Sequence, residues 1–253
     1  MIKLVPFYKD INLDIEGIEL NEMTNVFDYK GALKLFESSF HKFNPYGKFQ
    51  VATDMHTQLN HSGLFRTDLD GMNIMESLTV SNTHYVHNNE GLMVLCGADH
   101  LICNDVNNFF HGPNFDIGVF MNGDEVNNTV VLVAKNAANA KRVDRFFKLR
   151  QRKYYNLPDD IRLWYGDQKS LTEHLRDTGH LEKFFNDPIG KLKACIYEVD
   201  GLKVKFFEYG RFVKGLKKGG GLKENPTNIL IDFKGPLRKQ YHKDIYDYIM
   251  NTY

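Results

Sequence analysis

The chain lacks the features that most readily place a protein in a class. Its 32 Lys and Arg residues are balanced by 32 Asp and Glu, so no overall charge points to a polyanion, and such a partner would have to be met by a local patch. Only three cysteines occur, Cys96, Cys103 and Cys195, with no CxxC spacing. A structural zinc site and a disulfide scaffold are therefore disfavoured, and reduced intracellular thiols are expected. No apolar run comes near the length of a membrane span, and the opening MIKLVPFYKDINLDIEG is too briefly apolar and too soon acidic for a secretory signal. A cytoplasmic protein whose mature chain begins near Met1 is the expectation. Consecutive glycines Gly219, Gly220 and Gly221 lack the strand-before, helix-after setting of a phosphate or dinucleotide fingerprint. They read as part of a mobile, cationic loop over residues 214–224.

What is present is the composition of an ordinary globular protein. With 42% hydrophobic and 25% charged residues, the 253 positions suffice for one domain, residues 1–253, with a substantial core. After an irregular opening, IELNEMTN suggests a strand ending near Asn25, followed by a helix with Leu33, Leu35, Phe36 and Phe40 on its apolar face, stopped by Pro45 and Gly47. The short β-prone GKFQVATD exits into Asp54, and IMESLTVSNTHYVHNN gives a weaker helix before the strand LMVLCGAD. This alternation of strand and helix is that of an α/β sheet.

Further along, a strand is expected around residues 129–134, then a long cationic helix from near Asn136. Val143, Phe146, Phe147 and Leu149 would face inward, and Lys141, Arg142, Arg145, Lys148, Arg150, Arg152 and Lys153 would form a solvated or phosphate-binding patch. In WYGDQKSL, Asp167 is placed to cap the start of a helix. Two β-prone stretches, KACIYEVDG and LKVKFFEYGRF, precede ILIDFKG, whose apolar run ends at Asp232, and an amphipathic helix closes the chain. Asp54, Asp99 and Asp232 thus each terminate a strand-like run. Of the ten histidines, pairs such as His84 and His87 lack acidic or cysteine company at ligand spacing, so none is assigned to zinc. Cys96 reads as a packed small hydrophobe.

In its order of segments the chain resembles the nucleotide-diphospho-sugar glycosyltransferases of the GT-A fold, broadly the glycogenin-like group. The resemblance implies one Rossmann-related α/β domain with a mostly parallel central sheet flanked by helices. VATD resembles the element whose Asp, here Asp54, contacts the nucleotide, with Thr24, Asn25 and Tyr29 on the same side. GAD resembles the family's Asp-any-Asp metal motif, with Asp99 as the last ligand and Gly97 in place of the first Asp. VNNTVVLV resembles the Asn-small-Gly segment, with Asn127, Asn128 and Thr129, and the Asp167–Gln168 pair resembles a helix start facing the sugar or acceptor. ILIDFKGPLRK resembles the terminal His-aromatic-any-Gly motif: Asp232 replaces the His, Gly235 is in place, and Arg238 with Lys239 falls on the diphosphate-binding position.

These correspondences imply a metal-assisted transferase, hexosyl or pentosyl, using a nucleotide-diphosphate sugar, UDP-sugar favoured, and Mn²⁺ or Mg²⁺ held by Asp99 and Asp232. His100 and Asp105 would be the next ligands in line. Asp167 and Asp116 are the candidate bases. The acceptor would be a saccharide, lipid or protein hydroxyl. One alternative is a viral or phage enzyme glycosylating a hydroxymethylated DNA base inside an infected cell. Another is a nucleotide-sugar-binding module without catalysis.

Overall fold

The computed structural model describes residues 1–8, 29–52, 74–187, 195–215, 228–233 and 241–252. Its principal sheet is built on β1 (Ile2–Phe7), β2 (Lys48–Phe49), β3 (Gly91–Gly97), β5 (Ile117–Asn122), β6 (Glu125–Lys135), β7 (Cys195–Val199) and β8 (Leu202–Glu208), seven strands in the order β2-β1-β3-β6-β5-β8-β7. A second sheet joins β4 (His100–Ile102), β10 (Leu230–Asp232) and β9 (Val213–Gly215) in the order β4-β10-β9.

The strand IKLVPF, read in sequence as an irregular opening, pairs in parallel with both β2 and β3. Its residues are buried on both faces, so the strand shows no alternation that a pattern search can find. The mostly parallel sheet expected from sequence is instead mixed. Parallel pairing joins β1–β2, β1–β3 and β5–β8, whereas β3–β6, β5–β6 and β7–β8 are antiparallel. The cause is local: two tight turns, one at Gly123 (φ 65°) and one at Asp200–Gly201 (φ 51° and 75°), reverse the chain without a crossover helix.

Helices cover both faces of this sheet, a broadly Rossmann-like layering. On one face lie α2 (Ile74–Asn88), α3 (Ala140–Tyr155), α4 (Asp159–Asp177) and α5 (His180–Asn186). Their Val86, Val143, Phe147, Leu171 and Phe184 pack on Val5, Leu95, Val119, Val131 and Phe206. On the other face α1 (Tyr29–Phe43), a 3-10 turn (Val106–Phe110) and the small sheet bring Phe36, Phe40, Phe109 and Leu230 against Leu4, Val94, Val130 and Phe207. Alternate strand residues thus feed two separate cores, as a pleat requires. A short α6 (Tyr209–Phe212) follows β8, and α7 (His242–Thr252) packs Ile245 and Ile249 on Leu101 and Ile231 of the small sheet and on Phe233 just after β10.

The expected helix over Asp167 is present, but it starts eight residues earlier, at Asp159, with Pro158 as its cap residue. Asp167 is therefore a mid-helix side chain and not a cap. Gly166 lies inside this helix, where a Cβ would meet Tyr154 Cε2 at 2.5 Å, so the close packing of the two helices requires glycine there. Among the described residues no helix is long and apolar enough to cross a membrane. The proposed loop 214–224 lies outside the described residues apart from Lys214 and Gly215, which belong to β9.

Candidate functional site

The antiparallel β6 separates two parallel pairs, and its register brings their carboxyl ends to one edge. Phe7 of β1 is level with Gly97 of β3, Cys96 is paired with Val130, Val119 with Val131, and Met121 of β5 with Glu208 of β8. The ends of β1, β3, β5 and β8 therefore share an edge, the place where open α/β sheets gather ligand sites. Ala52 also arrives there, donating its N–H to Pro6 O at 2.8 Å. Asp54, two residues on, lies outside the described residues, as do Thr24, Asn25, Gly235, Arg238 and Lys239.

Beyond β3 the chain turns at Asp99 and enters β4, where His100 is the ladder partner of Asp232. Both strand-end carboxylates consequently reach one imidazole. His100 Nδ1 is 3.6 Å from Asp99 Oδ1, and its Nε2 is 3.5 Å from Asp232 Oδ1. The Nδ1 atom lies 2.9 Å from Gly97 O, a pure acceptor, so the geometry assigns the Nδ1 proton to that bond. Nε2 is buried and forms no hydrogen bond. At 3.5 Å the Nε2–Oδ1 approach lacks the geometry of a hydrogen bond. A neutral Nε2 and a carboxylate oxygen are both acceptors, and a proton or cation is what such a pair lacks. The second Asp232 oxygen accepts from Tyr209 Oη at 2.6 Å, which fixes the carboxylate from α6.

Gly97 has a steric role here. A Cβ at that position would lie 2.9 Å from Asp99 Oδ1 and 3.1 Å from His100 Cε1. The Asp99 carboxylate occupies space that a side chain at 97 would take, so a residue there would displace the Asp99 carboxylate and crowd His100. Cys96, buried beside the cluster, has its thiol pushed well above the usual range, first by burial and then by Asp99 and Asp232. A thiol held protonated is a poor nucleophile, in keeping with a packing role.

A second polar group sits where β6 departs from its register. Phe120 pairs with Asn127 although Val119 pairs with Val131, so residues 128–130 form an irregularity in the strand beside the end of β3. Asn128 there donates to Asp167 Oδ2 at 2.5 Å and accepts from Arg150 Nη2 at 2.9 Å; Arg150 also donates to Asp167 O at 3.2 Å. Arg150 is 1% exposed, and its Nε and Nη1 have no hydrogen-bond partner. Burial lowers the guanidinium to about 10, opposed by Asp167, so it is charged at neutral pH. Burial raises the Asp167 carboxyl, with Arg150 and the Asn128 hydrogen bond pulling it back. His174, against Phe146 at 4.6 Å, is lowered to about 4 by burial and then by Arg150.

The structure thus brings together Asp99, His100 and Asp232 at one cluster, and Asn128 with Asp167 at the other. Sequence reasoning missed Tyr209 and placed Arg150 in the exposed patch. The helical period does put Arg150 with Val143, Phe146, Phe147 and Tyr154, and that spacing is the signal that identifies it. Asn127 is buried opposite Phe120, Gln168 follows Asp167 in α4, and Tyr29 opens α1. Asp105 caps the 3-10 turn by accepting from Asn107 N. Asp116 lies just before the amino end of β5, at the opposite edge, and both its oxygens are occupied: Oδ1 by Asn139 Nδ2 at 2.6 Å and Oδ2 by Lys203 N at 2.9 Å. That placement and bonding make Asp116 a structural brace of two loops.

Among the described residues no three or more His, Cys, Asp or Glu side chains form a preassembled metal group. The chemistry of the donors nevertheless suits a hard divalent ion, because Mg²⁺ is commonly held by one or two carboxylates together with substrate phosphates and not by a protein cage. The two expected ligands, Asp99 and Asp232, both approach His100, whose Nε2 has no hydrogen-bond partner.

No family model matches the chain. No curated protein matches it either. Among solved structures, it is similar to the glycosyltransferase GlyE of Streptococcus pneumoniae TIGR4, with 11% identity and a TM-score of 0.40 over 99% of this chain and 62% of that one. The apo form of GlyE gives 12% identity and 0.42, with 99% and 61% covered. PaToxG glycosyltransferase gives 13% identity and 0.40, with 76% and 73% covered. The chain thus spans less than two thirds of the GlyE chain's length.

Proposed function

We propose that the chain is a glycosyltransferase moving a sugar from a nucleotide-diphosphate sugar, UDP-sugar favoured, to an acceptor hydroxyl with the assistance of Mn²⁺ or Mg²⁺. The observation that carries this reading is the meeting of Asp99 and Asp232 on His100 at the carboxyl edge of the sheet. In transfer, the bond from the anomeric carbon to the diphosphate oxygen breaks, the acceptor oxygen bonds that carbon, and the hydroxyl proton passes to a base. Asp99 and Asp232 would hold the divalent ion, which would offset charge gathering on the leaving diphosphate. Tyr209 orients Asp232, and Arg238 and Lys239 are assigned to the same diphosphate. Asp167, whose carboxyl burial raises against the pull of Arg150 and Asn128, would serve as the base for an inverting transfer.

The test is a panel of UDP- and GDP-sugars with and without Mn²⁺ or Mg²⁺, read by thermal stabilisation and by donor hydrolysis. A donor that binds the native state raises the melting temperature. Metal-dependent stabilisation with slow hydrolysis is the expected result; no shift and no turnover with any donor rejects the reading. Gly97 and Asp232, which both depart from the metal pattern, favour one second reading, a binding module without catalysis, which stabilisation without hydrolysis or transfer would select.

A further inference from the structure

The solvent face of α3 carries positive charge that nothing in the proposed reaction uses. Lys141, Arg145, Lys148 and Arg152 are all exposed and follow the i, i+4, i+7, i+11 spacing. At 3.6 residues per turn they fall within an arc of roughly 60° and span about 16 Å. Arg142 flanks them, also exposed. Val143, Phe146, Phe147, Arg150 and Tyr154 occupy the opposite, buried side of the helix. The two cations removed from the sequence-level patch are accounted for: Arg150 is interior, and Lys153 is paired with Asp177. The one carboxylate of this helix, Asp144, is committed to Lys135 at 2.6 Å and to His87 at 3.2 Å. Among the described residues no acidic side chain pairs with the five remaining cations. That concentration stands out in a chain whose formal net charge is zero.

We propose that this face of α3 is a docking track for the phosphate backbone of a nucleic-acid strand. A nucleic-acid strand carries one phosphate per roughly 3.4 Å of duplex axis, so about 16 Å of helix matches about five phosphates, one for each cation. The direction of the track is also defined. α3 starts after β6 has reached the amino edge, and Arg150 meets Asn128 beside the end of β3, so the stripe runs toward the edge that holds Asp99 and Asp167. Tyr155, 41% exposed, continues it at that end, its hydroxyl donating to Glu76 at 3.2 Å and its ring edge against Tyr154. A membrane surface is the weaker match, because an interfacial helix needs an apolar face to insert and the exposed arc of α3 is cationic.

The inference does not depend on the transferase reading, and its test reads binding alone. The full chain is titrated against a fluorescent single-stranded oligonucleotide, its duplex, and vesicles containing phosphatidylserine, at several salt concentrations. With about five phosphate contacts, affinity for the single strand should fall about a hundredfold between about 50 and about 200 mM salt. The Arg145→Gln/Lys148→Gln variant, altered only at exposed positions, should bind roughly tenfold or more weakly at the low salt and show a salt slope shallower by about one to two. Its melting temperature should match the parent. Three results each overturn the proposal: no oligonucleotide binding at low salt, affinity unchanged by the two substitutions, or tighter association with the vesicles than with either nucleic acid. The wild-type salt titration decides the question even where a variant is poorly behaved.

Discussion

His100 and Asp232 are directly opposed across the β4–β10 ladder, with Nε2 facing Oδ1 at 3.5 Å while Nδ1 is held by the Gly97 carbonyl. The backbone pairing, and not side-chain flexibility, sets this approach, so the carboxylate is presented at a fixed point beside Asp99. Two carboxylates near one imidazole are costly unless positive charge is supplied, and in the proposed reading a divalent ion would supply it.

From this follows a comparison of Asp99→Asn with Asp232→Asn. Each keeps side-chain size and removes negative charge, so metal-dependent stabilisation by the donor should fall at least about tenfold in apparent affinity for both variants. Asp232→Asn should cost folding stability by about 1 kcal/mol at most, because its amide oxygen still accepts from Tyr209, as a neutral and not a charge-assisted bond. Partly exposed Asp99 should cost less. Full metal-supported donor binding by Asp99→Asn would remove it as a ligand.

Gly97 yields a prediction in the opposite sense to motif completion. Gly97→Asp, which writes the missing acidic residue into the turn, should weaken donor binding instead of improving it, since even its Cβ conflicts with Asp99 Oδ1. Gly97→Ala should show most of the same effect, with destabilisation of roughly 1–3 kcal/mol in a urea titration from forced displacement of Asp99 and His100. Stability and donor affinity equal to the parent in Gly97→Ala would show that the turn relaxes freely.

How far these relations can be read from sequence depends on the length scale of the signal. α1 and α3 are legible because Phe36, Phe40, Val143 and Phe147 recur at helical spacing over one buried face. α2 is legible only weakly, since Ser77, Thr79, Ser81 and Thr83 are as buried as Val80 and Tyr85, so polarity does not track exposure. β6 was foreseen as a strand, but its antiparallel direction is decided by the Asn122–Glu125 turn that joins it to β5. Strand-end carboxylates at Asp99 and Asp232 were visible locally. That His100 lies between them, with Tyr209 behind, depends on long-range pairing, which no local pattern encodes.

Stability at acid pH should report His174. Burial and Arg150 lower this imidazole from 6.5 to about 4, so the folded state holds it neutral while the unfolded chain takes a proton near 6.5. A depressed folded value means that stability is complete above about pH 6.5 and declines as pH falls toward 4, by on the order of 3 kcal/mol at most. His174→Leu should remove this part of the acid loss. Denaturant titrations at pH 7 and pH 4.5 measure it: the stability gap between the two pH values should narrow in the variant, and an unchanged gap assigns the acid sensitivity elsewhere.

Buried Arg150 and the half-buried Asp167 carboxylate, bridged by Asn128, give the strongest stability prediction, because the two are not equivalent. Arg150 has hydrogen bonds to both Asn128 and the α4 backbone, and it is the cation that offsets the desolvated Asp167 carboxyl. Arg150→Met preserves much of the aliphatic volume but strands that carboxylate, and should cost about 3–5 kcal/mol at neutral pH. With Arg150 gone, Asp167 is raised further, so folding favours its protonated form; the stability so gained is present below its unfolded value and lost as pH rises through the folded one. The Arg150→Met variant should therefore be comparatively more stable at pH 4.5 than at pH 7 relative to the parent. Asp167→Asn, which keeps a hydrogen-bonding side chain and deletes the charge, should be the milder change in stability while abolishing base-dependent transfer. The double variant Arg150→Met/Asp167→Asn separates pairing from packing: if the two groups are coupled as the geometry indicates, it should be more stable than Arg150→Met alone, and strictly additive losses would mean that the guanidinium acts through Asn128 and the helix backbone only.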